Sequence, residues 1–161
     1  MNTRLLPLLA AAGMMLWSGS ALAQTVLNVS SWLPPSDAVT RAMMDWGKEV
    51  TERTNGRVEF RLLPKAVASP GGTFDAVRDG LADISFTVHN YIPGRFLLTQ
   101  AVEMPLLGDS AEVVSVAYQR IYDRHLKNSG EDEGVKTIAV FAHGGGEIYS
   151  AGKPIGALSD L

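Results

Sequence analysis

Between Arg57 and Leu63 apolar and charged residues alternate without a break, with Val58, Phe60 and Leu62 opposing Arg57, Glu59 and Arg61. A period of two is that of a half-buried strand. Val26 to Ser31 reads as an earlier strand, with Val26, Leu27 and Val29 supplying apolar bulk and Pro34-Pro35 forbidding its continuation. Between the two the period changes. Val39, Ala42, Met43, Trp46 and Val50 fall at i, i+3, i+4, i+7 and i+11, an apolar helical stripe capped by Ser36 or Asp37 and closed by Asn55-Gly56. At helical spacing Met43 and Met44 belong to the core rather than to a soft binding surface. Strand, helix, strand at this spacing predicts a parallel pair with a right-handed crossover.

The pattern continues with a short helix whose Phe74, Val77 and Leu81 face inward and which ends at Gly80. The loop before it, Ser69-Pro70-Gly71-Gly72-Thr73, lacks the order of a phosphate loop and reads as a helix entry. Ala82 to Val88 predicts a third strand, Ile84, Phe86 and Val88 alternating against Asp83, Ser85 and Thr87. Asp109-Ser110-Ala111-Glu112 resembles a capping box, and Val114, Ala117, Tyr118, Ile121 and Leu126 give the face of the helix it starts. Glu131-Asp132-Glu133 reads as a solvated turn. Val135 to Ala142 predicts a fourth strand, apolar enough to sit centrally, and Glu147 to Ser150 a further one.

Ligands of open α/β sheets collect outside the carboxyl ends of the strands. The side chains delivered there are Trp32, His89, Asn90, Tyr91 and His143, followed by Gly144-Gly145-Gly146 and Glu147. Trp32 either covers a ligand or seals the core beneath its loop. The three glycines can cradle an oxyanion or absorb the torsion of a hinge, and Glu147 beside them disfavours phosphate.

Composition narrows the class. Residues 1–23 carry Arg4, the apolar run Leu5 to Leu16 and an Ala21-Leu22-Ala23 cleavage site, the order of an export signal. Such a run is too short to anchor the chain in a bilayer. The remaining chain holds thirteen Lys plus Arg against seventeen Asp plus Glu, scattered without a polybasic run, which excludes a nucleic-acid surface. There is no cysteine, hence no disulfide and no thiolate metal site.

Arg78-Asp79-Gly80-Leu81-Ala82-Asp83-Ile84, then Tyr91-Ile92-Pro93-Gly94-Arg95-Phe96 and Glu103-Met104-Pro105-Leu106-Leu107, stand in order between Ser31-Trp32-Leu33-Pro34-Pro35 and Gly152-Lys153-Pro154-Ile155. This series resembles the extracytoplasmic solute-binding proteins of TRAP transporters, of the dicarboxylate-binding type, from Val26 to Leu161. The resemblance implies an α/β, periplasmic-binding-protein-like lobe with a mainly parallel sheet flanked by helices, ending before a second lobe is complete. It implies residues 24–143 as the N-terminal ligand-binding lobe, and 144–161 as a crossover with its hinge at Gly144, Gly145 and Gly146. It implies a periplasmic receptor for a small organic acid, a carboxylate by preference, delivered to an integral-membrane TRAP permease, with no cofactor, no metal and no insertion of the mature chain into the membrane. Ligand contacts would come from Trp32, His89, Asn90, Tyr91, His143, Gly145 and Glu147. The arginine that the family places after a Ser-Asp-Leu stretch would lie beyond Ser159-Asp160-Leu161, and Glu147 stands where some relatives carry another, against acidic-sugar ligands.

An enzyme reading has less to stand on. The histidines at 89, 125 and 143 show no metal-site spacing, and no serine sits in a Gly-x-Ser-x-Gly elbow. A His89/His143 pair with Glu147 could support acid–base chemistry or hold a metal, so a small secreted α/β enzyme remains the alternative, beside a sensing protein using the same cleft.

Overall fold

A computed structural model describes residues 23–104, 107, 108, 110–146 and 148–160. The export signal (save Ala23), Asp109 and Glu147 therefore lie outside the described residues. The first unit is the predicted one: strand β1 (Thr25–Val29), helix α1 (Ala38–Arg53) and strand β2 (Val58–Leu62). The strands pair in parallel, from Thr25 with Val58 to Val29 with Leu62. Asp37 is the cap of α1, its Oδ1 accepting from the Val39 N–H at 2.8 Å, which satisfies one of the helix's free donors. The helix closes through left-handed Asn55 (φ 52°) and Gly56 (φ 75°).

The face that α1 buries differs from the apolar stripe. Thr40 and Gly47 are its buried residues, whereas Ala42 and Trp46 are exposed. The cause is close approach: a Cβ on Gly47 would lie 2.6 Å from Phe60 Cγ, so the ring of β2 occupies the space that a side chain would fill. Trp46 then packs edge-on to Phe60 from the side, with centroids 5.2 Å apart.

Helix α2 (Thr73–Arg78) buries Phe74 and Ala76. Leu81, predicted to face inward, is 62% exposed, because Gly80 (φ 77°) turns the chain before it. The predicted strand 82–88 is reduced to one parallel bridge, Val29 with Ile84. Asp83 explains the reduction. Its Oδ2 takes the Asn28 N–H at 2.7 Å and the Asn28 Nδ2 at 3.2 Å, so a side chain occupies a position that a ladder carbonyl would hold. The chain then runs on beyond Ser30 without a regular ladder, held by the Ser85 hydroxyl on Ser30 O at 2.7 Å.

Helix α3 (Ala111–Ile121) is capped by Ser110, whose Oγ accepts from Val113 N, and it continues into a π turn over Tyr122–Leu126. Tyr118 and Tyr122 are its buried residues and cluster with Val140; Ala117 and Ile121, expected on the inner face, are exposed. The predicted fourth strand, 135–142, joins no sheet among the described residues. Two of its amides are satisfied by α3 instead: Val140 N–H donates to Gln119 Oε1 at 2.9 Å and Ala142 N–H to Ser115 Oγ at 2.9 Å. With no strand on either side, Ile138 and Phe141 stay more than half exposed, unlike residues of a central strand. Ile148 to Ser150 likewise form no strand.

Candidate ligand-binding site

The loop after β1, the segment 83–91 and the extended segment 135–146 surround a groove of about 870 Å³. Segments 84–88 and 135–146 run extended with almost no ladder pairing, which leaves side chains free to face the opening.

Trp32 lies over Phe86, centroids 4.9 Å apart and planes inclined by 31°, and the Tyr91 ring stands 6.1 Å from it, inclined by 55°. The Trp32 Nε1–H and the neighbouring wall's Thr87 hydroxyl are buried without a hydrogen-bond partner among the described residues. A buried donor left unpaired costs about 1–3 kcal/mol, so the aromatic wall is held at the expense of unsatisfied polar atoms.

His89 stacks on the fully buried Phe96, with centroids 4.0 Å apart and planes within 7°. Its Nδ1 stands 3.4 Å from the Tyr118 hydroxyl. Burial lowers the pKa of the imidazole and outweighs the opposing pull of Asp132, Glu103 and Glu131. Burial likewise raises the Tyr118 phenol, so it stays protonated. Behind them Glu131 is no solvated turn residue: Oε1 accepts from Leu98 N–H at 2.6 Å, and Oε2 from Thr99 N–H at 3.3 Å and the Thr99 hydroxyl at 3.0 Å. Partial burial pushes this carboxyl up, but the donated bonds win and hold it below the usual carboxylate range. Asp132 accepts from the Tyr122 hydroxyl. The charge run is thus a brace that ties the loop at 97–99 and helix α3 to one turn.

Of the residues singled out in the sequence, Trp32, His89, Asn90, Tyr91, His143 and Gly145 all line the groove. Asn90 and Tyr91 are exposed on its rim. His143 is exposed, its Nδ1 2.6 Å from the Gly144 carbonyl oxygen, and a Cβ on any of the three glycines after it would meet no atom within 4 Å. His125 does not line the groove. Phe86, Phe96, Tyr118 and Lys136 also line it and were not singled out. Phe86 and Tyr118 carried only the signal of apolar periodicity, and Phe96 only its place in the Tyr91 to Phe96 motif. Lys136 carried none, although among the described lining residues it is the one fixed cation. No group of three or more His, Cys, Asp or Glu among the described residues could hold a metal ion. No described helix is long and apolar enough to cross a membrane.

Residues 29–161 match the family described as bacterial extracellular solute-binding protein, family 7 (DctP). A solved TRAP periplasmic solute-binding protein from Bordetella bronchiseptica, with bound (R)- and (S)-mandelate, is 48% identical with a TM-score of 0.71, over 74% of this chain and 38% of that one. A TRAP solute-binding protein of an unidentified marine-metagenome microbe, specific for aromatic acids and holding 3-hydroxybenzoate, is 32% identical with a TM-score of 0.65, over 75% of this chain and 38% of that one. The outer membrane transporter protein TsaT of Comamonas testosteroni is 26% identical over 136 residues, 84% of this chain and 40% of the relative. The chain thus spans about two fifths of the length of these relatives.

Proposed function

Because the chain belongs to the bacterial extracellular solute-binding protein family 7, we propose that it forms one ligand-binding wall of a periplasmic receptor that captures a small ring-bearing carboxylic acid for a TRAP-type permease. The observation that carries this reading is the aromatic wall of Trp32, Phe86 and Tyr91 along the groove. Flat aromatic faces favour a planar ring by offset stacking, while a short aliphatic diacid gains little from them. The aromatic acids named for the Bordetella and marine proteins support the same choice. In this reading the ring of the acid packs on the wall of Trp32, Phe86 and Tyr91, His89, Asn90 and His143 bond its polar groups, Gly145 borders it, and Gly144 to Gly146 give the wall its hinge.

Residues 1–23 serve as the export signal, so periplasmic extract should yield a mature chain beginning at Gln24. Calorimetry on that chain tests the receptor reading. A second preparation, a hybrid in which residues 24–161 precede the remaining length of the Bordetella relative, supplies the rest of a family-length protein. Benzoate and mandelate should bind at least ten-fold more tightly than succinate. Binding of succinate in preference to benzoate would overturn the ring-bearing class, and no binding of any acid by either preparation would overturn the receptor.

A further inference from the structure

Asn55 and Gly56, which end helix α1, form the sequence's one Asn-Gly pair: of the asparagines at 2, 28, 55, 90 and 128, only Asn55 precedes a glycine. Such a pair is chemically fragile, because glycine has no side chain to shield its nitrogen from the neighbouring carboxamide. Once that nitrogen has lost its proton to hydroxide it can attack the asparagine Cγ. A new C–N bond closes a succinimide ring, and the carboxamide nitrogen leaves as ammonia. Water then opens the ring at either carbonyl, giving aspartate or isoaspartate. Asn55 is exposed, so neither water nor hydroxide is kept from it.

The nitrogen that would attack is nevertheless held. Gly56 N–H donates to Thr51 O at 2.9 Å and Asn55 N–H to Glu52 O at 3.1 Å, the two backward bonds by which a left-handed turn shuts a helix. The Gly56 carbonyl accepts from Gln24 Nε2 at 3.1 Å, and the next carbonyl, of Arg57, from Thr25 N–H at 2.8 Å. Thr54 ties the turn to β2: its hydroxyl donates to Thr51 O and accepts from Val58 N–H, each at 3.2 Å. The fragile amide is thus fastened from the helix on one side and from both strands on the other.

We propose that Asn55 is a site of spontaneous deamidation gated by the closure of α1, the reaction waiting until the last turn opens and Thr51 releases the Gly56 N–H. Amide hydrogen exchange begins with the same loss of the Gly56 proton to hydroxide, so the two reactions share one opening. Deamidation is the one that does not reverse. Aspartate at 55 sets a negative charge at the negative end of the helix, and isoaspartate adds a carbon to the main chain between α1 and β2. Either product loosens the turn that had delayed it. The inference needs no ligand and holds whatever the groove binds.

The mature chain and the hybrid are each incubated near pH 7.5, folded and in urea. Loss of Asn55 is followed by the gain of one mass unit in the peptide that carries it, and isoaspartyl methyltransferase reports the isoaspartate. The folded rate should lie at least about ten-fold below the rate in urea, and the Gly56 amide should be protected from exchange by a similar factor. Thr54→Ala removes both hydroxyl bonds and leaves the Asn-Gly pair intact. It should raise the folded rate several-fold, lower the Gly56 protection in step, and leave the rate in urea unchanged. Equal rates folded and in urea, or a Gly56 amide that exchanges freely, would overturn the gate. So would a folded rate and Gly56 protection that both stay at the parent's values in Thr54→Ala. No loss of Asn55 even in urea would overturn the site itself.

Discussion

Replacing Trp32 by phenylalanine separates the two roles that an aromatic residue at this position can have. The indole stacks on Phe86 at 4.9 Å while its Nε1–H is buried without a partner among the described residues. Phenylalanine keeps the ring over Phe86 and removes the unpaired donor, recovering about 1–3 kcal/mol. It also surrenders several tens of Å² of buried apolar surface, which at ~25 cal/mol per Å² costs roughly 1 kcal/mol. The net for Trp32→Phe is a change of about 0–2 kcal/mol in favour of the folded state. Binding moves the other way: if the indole N–H turns to a ligand oxygen, its loss should weaken affinity for benzoate about five- to ten-fold. Urea unfolding gives the first number and calorimetry the second. A variant destabilised by more than about 2 kcal/mol with unchanged affinity would mean that Trp32 is a core seal, and that the unpaired N–H has nothing to do with ligand.

Gly47→Ala should destabilise in spite of the better helix propensity of alanine: the gain of about 1 kcal/mol is offset by forcing Phe60, whose Cβ and Cγ stand within 3 Å of the new methyl, at a cost of about 1–3 kcal/mol. A lowered urea midpoint checks it, and a raised one would show that β2 can retreat from α1. Acidification should weaken the fold in two stages, because His89 titrates lower in the folded than in the unfolded chain, and Glu131 does too. Stability from His89 is complete above its ordinary value of 6.5 and declines as the pH falls through it toward the folded value. That from Glu131 is held above 4.5 and lost as the pH falls through its lower folded value. In His89→Phe, urea midpoints at pH 7.5 and 5.5 should differ less than in the parent; an equal difference would refute the assignment.

The β1–α1–β2 unit could be read from the chain because local signals agreed there: alternation in β2, a cap at Asp37 and a left-handed pair at Asn55-Gly56. Legibility failed where side chains replaced the backbone as hydrogen-bond partners. Nothing in the alternation from Ile84 to Val88 signals that Asp83 will take the Asn28 amide, and nothing in Val135 to Ala142 that Gln119 and Ser115 will. The groove was legible in outline, since side chains with hydrogen-bonding groups follow each apolar extended segment, at His89, Asn90 and Tyr91 and at His143. The brace behind it was not, because a carboxylate in a Glu-Asp-Glu run looks the same whether it faces water or the Leu98 and Thr99 amides.

The two side chains that hold the segment 135–142 act on residues 140 and 142, which share a parity along an extended chain. Successive amides of such a chain point in opposite directions. Helix α3 therefore sets more than the segment's position: it decides which row of backbone groups is spoken for and which is open. A slip by one residue would bring the odd row to Gln119 and Ser115 and turn every side chain over, taking buried Val140 out of its cluster with Tyr118 and Tyr122. In the register observed, the amides of Val140 and Ala142 should be slow in hydrogen exchange and those of Ala139 and Phe141 quick, a striping that a paired strand in mid-sheet would not show.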